Sequence, residues 1–141
     1  NMYNVAIIGA SEKDLNWLRD KIFCYGKEKN IDFCVTRYKS GKDFLTAYDY
    51  SVDMIFLDVK LPDLNGMEVA QKLRFVDYRV PVVLMDDSDE YVIEGYSVNA
   101  TDFIIFPADK ECFKGTMSRL VSKADEVNRS MPNRLRKILI Y

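Results

Sequence analysis

The chain alternates short apolar runs with longer stretches of helical spacing. Tyr3 to Ile8 is apolar and β-branched and predicts a first strand. Ser11-Glu12-Lys13-Asp14 then places a hydroxyl three residues before an acid, the pattern of a capping box. Leu15, Leu18 and Ile22 recur at helical spacing, which predicts a helix to about Lys29. Asp32 to Tyr38 predicts a second strand. Ser40-Gly41-Lys42-Asp43 repeats the cap signal before a short helix carrying Phe44, Ala47 and Tyr48. After the central stretch, Asn65 caps a helix with Met67, Ala70 and Leu73 on one side. Val80 to Met85 predicts strand four, Asp89 to Ser97 a less regular fourth helix, and Asp102 to Phe106 strand five. Asp109 opens a fifth helix on which Phe113, Met117, Leu120, Val121 and Ala124 form one stripe. Strict alternation of strands and helices implies a parallel sheet covered on both faces.

The central stretch, DMIFLDVKLPDLNG (53–66), organises the rest. Met54, Ile55, Phe56 and Leu57 form an apolar run bounded by turn signals, which reads as a strand buried on both faces. Asp58 stands where that run ends. The carboxyl ends of strands are where open α/β sheets place their chemistry.

Composition narrows the choice. The 141 residues fit one domain with a real core, and 48% apolar with 30% charged residues is ordinary for a globular protein. A net charge of −2 gives no general affinity for nucleic acid. No run has the length of a membrane span and no signal-peptide pattern is visible, so the expected location is the cytoplasm with no membrane partner. Cys24, Cys34 and Cys112 show neither metal nor disulfide spacing and read as reduced, buried hydrophobes. There is no histidine, which removes a His-based triad, a His zinc site and an imidazole base together. VAIIGAS (5–11) is superficially like the first turn of a dinucleotide fold, but the further glycines would fall at Ser11 and Asp14, so the phosphate cradle fails.

DMIFLDVKLPDLNGMEVAQKLR (53–74), VPVVLM (80–85), DEYVIEGYSVNATDFIIFP (89–107) and the helix after Pro107 together resemble a receiver domain of a bacterial two-component response regulator. The likeness runs over about residues 2–125. The segment DEY…EGY…NATDF resembles most the receivers joined to LytTR-type DNA-binding domains. The resemblance implies a flavodoxin-like, CheY-like α/β fold: a doubly wound five-stranded parallel sheet, order 2-1-3-4-5, with five helices. It implies domain limits of 1–125, followed by a basic helix end and linker (126–141, with Arg129, Arg134, Arg136 and Lys137) toward an output domain absent from this chain.

The resemblance implies that Asp58 would be the phosphoacceptor. Its carboxylate attacks a phosphoryl group to make an acyl phosphate, a step that needs a divalent cation and fixed positive charge. The family supplies two acids after strand one, a Ser or Thr after strand four, and a lysine before the proline after strand five. Here those places fall at Gly9 and Ala10, at Asp86, and at Phe106. Asp58, Gly66, Pro107 and the strand-five aromatic, Phe103, remain; the family's aromatic changes rotamer on activation. The metal candidates are Asp58, the backbone carbonyl of Lys60, Glu12 and Asp86, with Asp87 beside it. The expectation is a pseudo-receiver: not an enzyme, with no cofactor, and with Mg²⁺ only if the site works. It would act by protein contacts, as a homodimer or with a partner, through the helix 4–strand 5–helix 5 face. DNA would be reached only through the absent output domain. The alternative is a working receiver that uses Asp58 with a substitute metal site and a sensor histidine kinase upstream.

Overall fold

The structure is a computed structural model and describes residues 2–131. Its elements are β1 (Met2–Ile8), α1 (Glu12–Lys29), β2 (Asp32–Tyr38), α2 (Gly41–Ala47), β3 (Met54–Asp58), α3 (Gly66–Val76), β4 (Val82–Asp86), a 3₁₀ helix (Glu94–Val98), β5 (Asp102–Ile105) and α4 (Lys110–Ser130). The five strands form one parallel sheet in the order β2-β1-β3-β4-β5. That is the order the resemblance implies.

Alternation along each strand divides the interior in two. Val5, Ile7, Met54, Phe56, Val83 and Met85 point to one face, where Leu15, Leu18 and Ile22 of α1 and Phe113, Met117 and Leu120 of α4 cover them. Ala6, Ile8, Ile55, Leu57, Val82 and Leu84 point to the other, under Phe44, Met67, Ala70, Leu73 and Val98. Leu18 and Ile22 are fully buried, worth about 1.5–3 kcal/mol each in area removed from water. The predicted stripes of α1, α3 and α4 therefore face the core, with Val121 half-buried at the edge of its stripe.

The caps also form where the sequence places them. Ser11 Oγ accepts from the Asp14 N–H at 3.2 Å and Ser40 Oγ from Asp43 at 3.1 Å. Asn65 Oδ1 accepts from Met67 at 2.7 Å and Asp109 Oδ1 from Cys112 at 2.8 Å. Each satisfies an N–H that the helix start leaves without an internal partner.

Four expectations are corrected. The expected fourth α-helix is turns followed by the 3₁₀ helix, so there are four α-helices among the described residues. Its bonds are largely of the i to i+3 kind, such as Tyr96 N–H to Ile93 O at 3.2 Å. Val92, Ile93 and Gly95 are poor helix formers, and Asn99 closes the segment in the left-handed region at φ 54°. The boundary at residue 125 is too early. α4 continues to Ser130, Val127 is buried, and Asn128 Nδ2 donates to Asp53 Oδ1 at 3.1 Å. Residues 132–141, with Arg134, Arg136 and Lys137, lie outside the described residues. The cysteines are not buried: all three are exposed. Strand four starts at Val82 rather than Val80, although the Pro81 carbonyl already accepts from Ile55 N–H at 2.9 Å.

Two polar side chains tie the far end of the sheet and the 3₁₀ region. Asp53 Oδ2 accepts from Asn4 N–H at 2.7 Å, joining the starts of β1 and β3 to the end of α4. Arg74 of α3 donates to four backbone carbonyls: Val98 at 2.7 Å, Val80 at 2.8 Å, Asp77 at 3.0 Å and Asn99 at 3.1 Å. Among the described residues no helix is long and apolar enough to cross a membrane.

Candidate functional site

Asp58 ends β3 at the carboxyl edge of the sheet, at the foot of a cleft of about 90 Å³ lined by Asp14, Asp58, Lys60, Asp86, Asp87 and Phe106. The loop after β3 folds back tightly. Gly66 N–H donates to Val59 O at 2.7 Å, and a Cβ on Gly66 would stand 2.1 Å from the Asp58 carbonyl oxygen. Only glycine allows that approach. The turn sets the Lys60 N–H against Asp58 Oδ1 at 3.0 Å.

The carboxyl of Asp58 is pushed up to about 6. Burial is the main cause. The Lys60 N–H opposes it, and the charges of Asp86, Asp14 and Asp87 add to it.

Gly9 faces this carboxyl: a Cβ there would lie 3.5 Å from Asp58 Oδ2 and 3.2 Å from Leu15 Cδ2. Ala10 is exposed. Neither side chain can contribute an oxygen. Asp86 ends β4 with its side chain 1% exposed. Its Oδ1 accepts from the Asp87 N–H at 2.8 Å and lies 3.4 Å from Lys60 Nζ, while its Oδ2 is buried with no partner. Lys60 Nζ also pairs with Asp87 Oδ1. Asp87, Asp86 and its own desolvation act on the Lys60 ammonium, with a net rise above the ordinary value. Lys60 in turn holds Asp87 below the usual carboxylate range.

Glu12, a metal candidate from the sequence, is not at the cleft. It pairs with Lys39 at 2.8 Å and Arg37 at 3.0 Å, which hold its carboxyl low. Asp14 is there instead, and that placement was not expected. The available signal is its spacing from Trp17, one helical turn on. Trp17 packs edge-on against Phe106, with ring centroids 5.4 Å apart, and against Phe113 at 5.5 Å. Phe106 thus sits at the cleft, held between it and an aromatic group that reaches α1 and α4. Its N–H donates to Asp86 O at 2.8 Å, and the Phe106–Pro107 peptide is cis.

A divalent cation needs several oxygens converging on one point. Among the described residues, no three acids are grouped so as to hold one. The residues as arranged do not fit such an ion, and Lys60 is the one cationic side chain lining the cleft.

Phe103 lies away from Asp58. It packs against the core on the α3 side and lines a separate cleft with Val92, Gly95, Tyr96 and Ile105. In that cleft Tyr96 is 82% exposed and Ile105 41%; Ile93, just before the 3₁₀ helix, is also 82% exposed.

The description of the response regulator receiver domain matches residues 27–117, more than half of the chain. The chain belongs to this receiver family. The match begins within α1, so Gly9 and Ala10 lie outside it. Among curated relatives, the sensory transduction protein LytT of Oceanobacillus iheyensis is 32% identical over 97 residues, covering 67% of this chain and 39% of that protein. LytT of Bacillus subtilis is 30% identical over 83 residues, covering 59% and 33%. The receiver therefore spans about a third to two-fifths of these two LytT proteins. The likeness to LytTR-type receivers read from the sequence agrees with these matches. Among solved structures, the response regulatory domain of mrkE from Klebsiella pneumoniae superposes with a TM-score of 0.75 at 21% identity, over 87% of this chain and 98% of that one. The receiver domain of sensor histidine kinase PA1611 from Pseudomonas aeruginosa gives 0.72 at 14% identity, over 86% and 99%. That structure has a magnesium ion coordinated in its active site cleft. These neighbours bear out the CheY-like fold. Receiver domains are regulatory modules of two-component signalling rather than catalysts. As a class they take signals from sensor histidine kinases, and they can dimerise.

Proposed function

We propose that this receiver works by protein contact and not by phosphoryl transfer. The observation that carries the reading is the cleft at Asp58. Acids line it without converging on a metal position, and its one cation, Lys60, is engaged by Asp86 and Asp87. An incoming phosphoryl group would meet Asp14, Asp86 and Asp87 with no free fixed charge to stabilise its oxygens. Phe106 stands where family members place a lysine, and it is braced by Trp17.

The contact surface is the face made by the 3₁₀ helix, β5 and α4. Its exposed Ile93, Tyr96 and Ile105 support docking of a second copy or a partner protein. The output is a transcriptional, DNA-binding region outside this chain, in the cytoplasm. The naming of relatives as LytT and as the transcriptional regulatory protein YpdB of Escherichia coli supports that role.

The test is intact mass after incubation with acetyl phosphate and Mg²⁺, beside Asp58→Asn. We expect no added mass. A phosphate-sized increment that disappears in the variant overturns the reading. Light scattering without a phosphodonor is expected to show a dimer.

A second reading has an observation of its own: Asp14 lines the same cleft as Asp58 and supplies an acid despite Gly9 and Ala10. In that case the domain is an atypical phosphoacceptor served by a sensor kinase, and the same mass experiment decides for it.

A further inference from the structure

We infer that the pocket between β1, β2 and the end of α2 is a guanidinium seat, and that it receives an arginine of this chain's own basic segment, Arg134-Leu135-Arg136-Lys137. The inference stands apart from the reading of the Asp58 cleft.

The pocket has a volume of about 270 Å³, and Tyr38, Phe44, Tyr48, Asp49 and Ser51 are among the residues that line it. Its aromatic wall is a continuous run of edge-on rings. Tyr38 packs on Phe44 with centroids 5.6 Å apart, Phe44 on Tyr48 at 5.7 Å, and Tyr48 on Tyr50 at 5.1 Å. Its charge is Asp49, whose Oδ1 accepts from the Ser51 N–H at 3.0 Å and from the Ser51 hydroxyl at 2.6 Å. A carboxylate fixed beside aromatic rings suits a guanidinium, whose planar fork bonds the acid while its face stacks on a ring. An ammonium, compact and strongly hydrated, uses the rings less well. The backbone of this loop is also strained. Tyr50 is 7% exposed and holds φ 69°, in the left-handed region that a bulky residue rarely adopts. Strain of this kind gathers where a ligand is held.

Three hydrogen bonds lead from the end of α4 to the pocket wall. Met131 has left the helix, at φ −149°. Just before it, Ser130 Oγ accepts from Arg79 Nη1 at 3.2 Å. The Arg79 N–H donates to Asp77 Oδ1 at 3.1 Å, and Asp77 Oδ2 accepts from the Tyr48 hydroxyl at 2.6 Å. Arg134 and Arg136 follow Met131 by three and five residues, a reach of about 10 Å and about 17 Å for extended backbone before the side chain is added. Residues 132–141 carry Arg134, Arg136 and Lys137 and no acidic side chain, so their charge complements Asp49. A segment attached this close acts at an effective concentration on the order of millimolar, which favours it over the same segment of a second copy or a basic stretch of another protein. The seated arginine ties the connection leaving the receiver to the loop that leads into β3, at the opposite end of that strand from Asp58.

The experiment records the arginine Nε–Hε signals of the whole chain by NMR, with Arg134 and Arg136 assigned from Arg134→Lys and Arg136→Lys. A free peptide of residues 131–141 is the reference. In the wild type, one of the two signals is expected to be displaced by the rings and to exchange with water about tenfold more slowly than in the peptide. Asp49→Asn is expected to return it to the peptide values. Circular dichroism checks folding, and should Asp49→Asn not fold, Asp49→Ser replaces it. Spectra are taken at two protein concentrations.

Peptide-like exchange of both arginines in the wild type overturns the inference. So does protection that survives Asp49→Asn, since the arginine would then sit elsewhere. Protection that grows with protein concentration assigns the seat to the segment of a second copy and overturns docking within one chain.

Discussion

Asp58→Asn is expected to stabilise this domain, and to do so only above acid pH. The carboxyl is raised from the ordinary 3.8 to about 6, chiefly by burial. A raised carboxyl holds its proton in the folded state at pH values where the unfolded chain has already lost it. Folding is then unpenalised below the unfolded value, and stability falls as pH climbs from about 4 to about 6. Above that the penalty is constant. The rise from 3.8 to about 6 corresponds to roughly 3 kcal/mol at pH 7.5, about 1.6 kcal/mol at pH 5 and close to zero at pH 3. Water on the open side of the cleft relaxes part of this, so about 1.5–3 kcal/mol is the expected gain at pH 7.5. Asparagine keeps an acceptor for the Lys60 N–H while removing the charge that Asp86, Asp14 and Asp87 repel. The assay is urea unfolding of both proteins at pH 3, 5 and 7.5, with equal slopes required before midpoints are compared. In parallel, the carboxyl carbon of Asp58 is followed by NMR and should titrate near 6. A difference between the proteins that does not change with pH refutes the reasoning. So does a variant less stable than wild type at pH 7.5.

Two further outcomes test the frame around the site. Gly66→Ala is expected to cost about 3 kcal/mol in urea unfolding, because the new methyl meets Asp58 and Val59 backbone that cannot yield; unchanged stability would show that the loop does not approach this closely. Arg74→Met is expected to cost about 2–4 kcal/mol and to speed amide exchange across residues 94–99, since four carbonyls lose their donor; protection equal to wild type would show that the 3₁₀ helix is held by other contacts.

Much of this architecture is legible in the residues because local signals and burial agree. Ser11, Ser40, Asn65 and Asp109 cap the helices they precede, and the apolar run at 54–57 is buried on both faces. The segment from Asp89 to Ser97 misleads because its apolar residues suit a helix by spacing while Gly95 and the β-branched pair disfavour one. The end of α4 is hidden for a different reason: Asn128 belongs to the domain through a bond to Asp53, 75 residues away in sequence. Long-range pairing also explains the site. Glu12 and Asp14 are two residues apart and both carboxylic acids, yet Arg37 on β2 and Lys39 just after it draw Glu12 aside while Asp14 reaches the cleft. Lys60 is visible as a nearby charge in sequence, but its direction depends on the acids of β4.

The division of the interior by the sheet has an evolutionary meaning. Ile7 and Ile8 are neighbours in the chain but belong to separate compartments, as do Phe56 and Leu57. Changes within one compartment must be matched by their neighbours there, while changes across the sheet combine independently. Phe106, which lines the cleft, and Trp17 and Phe113, joined to it by ring contacts, all belong to the α1–α4 compartment. The other compartment lies under α2, α3 and the 3₁₀ helix and carries Phe103 behind the exposed face. Substitutions on the α1–α4 side and substitutions on the α2–α3 side are therefore expected to combine additively, although the same strands carry both.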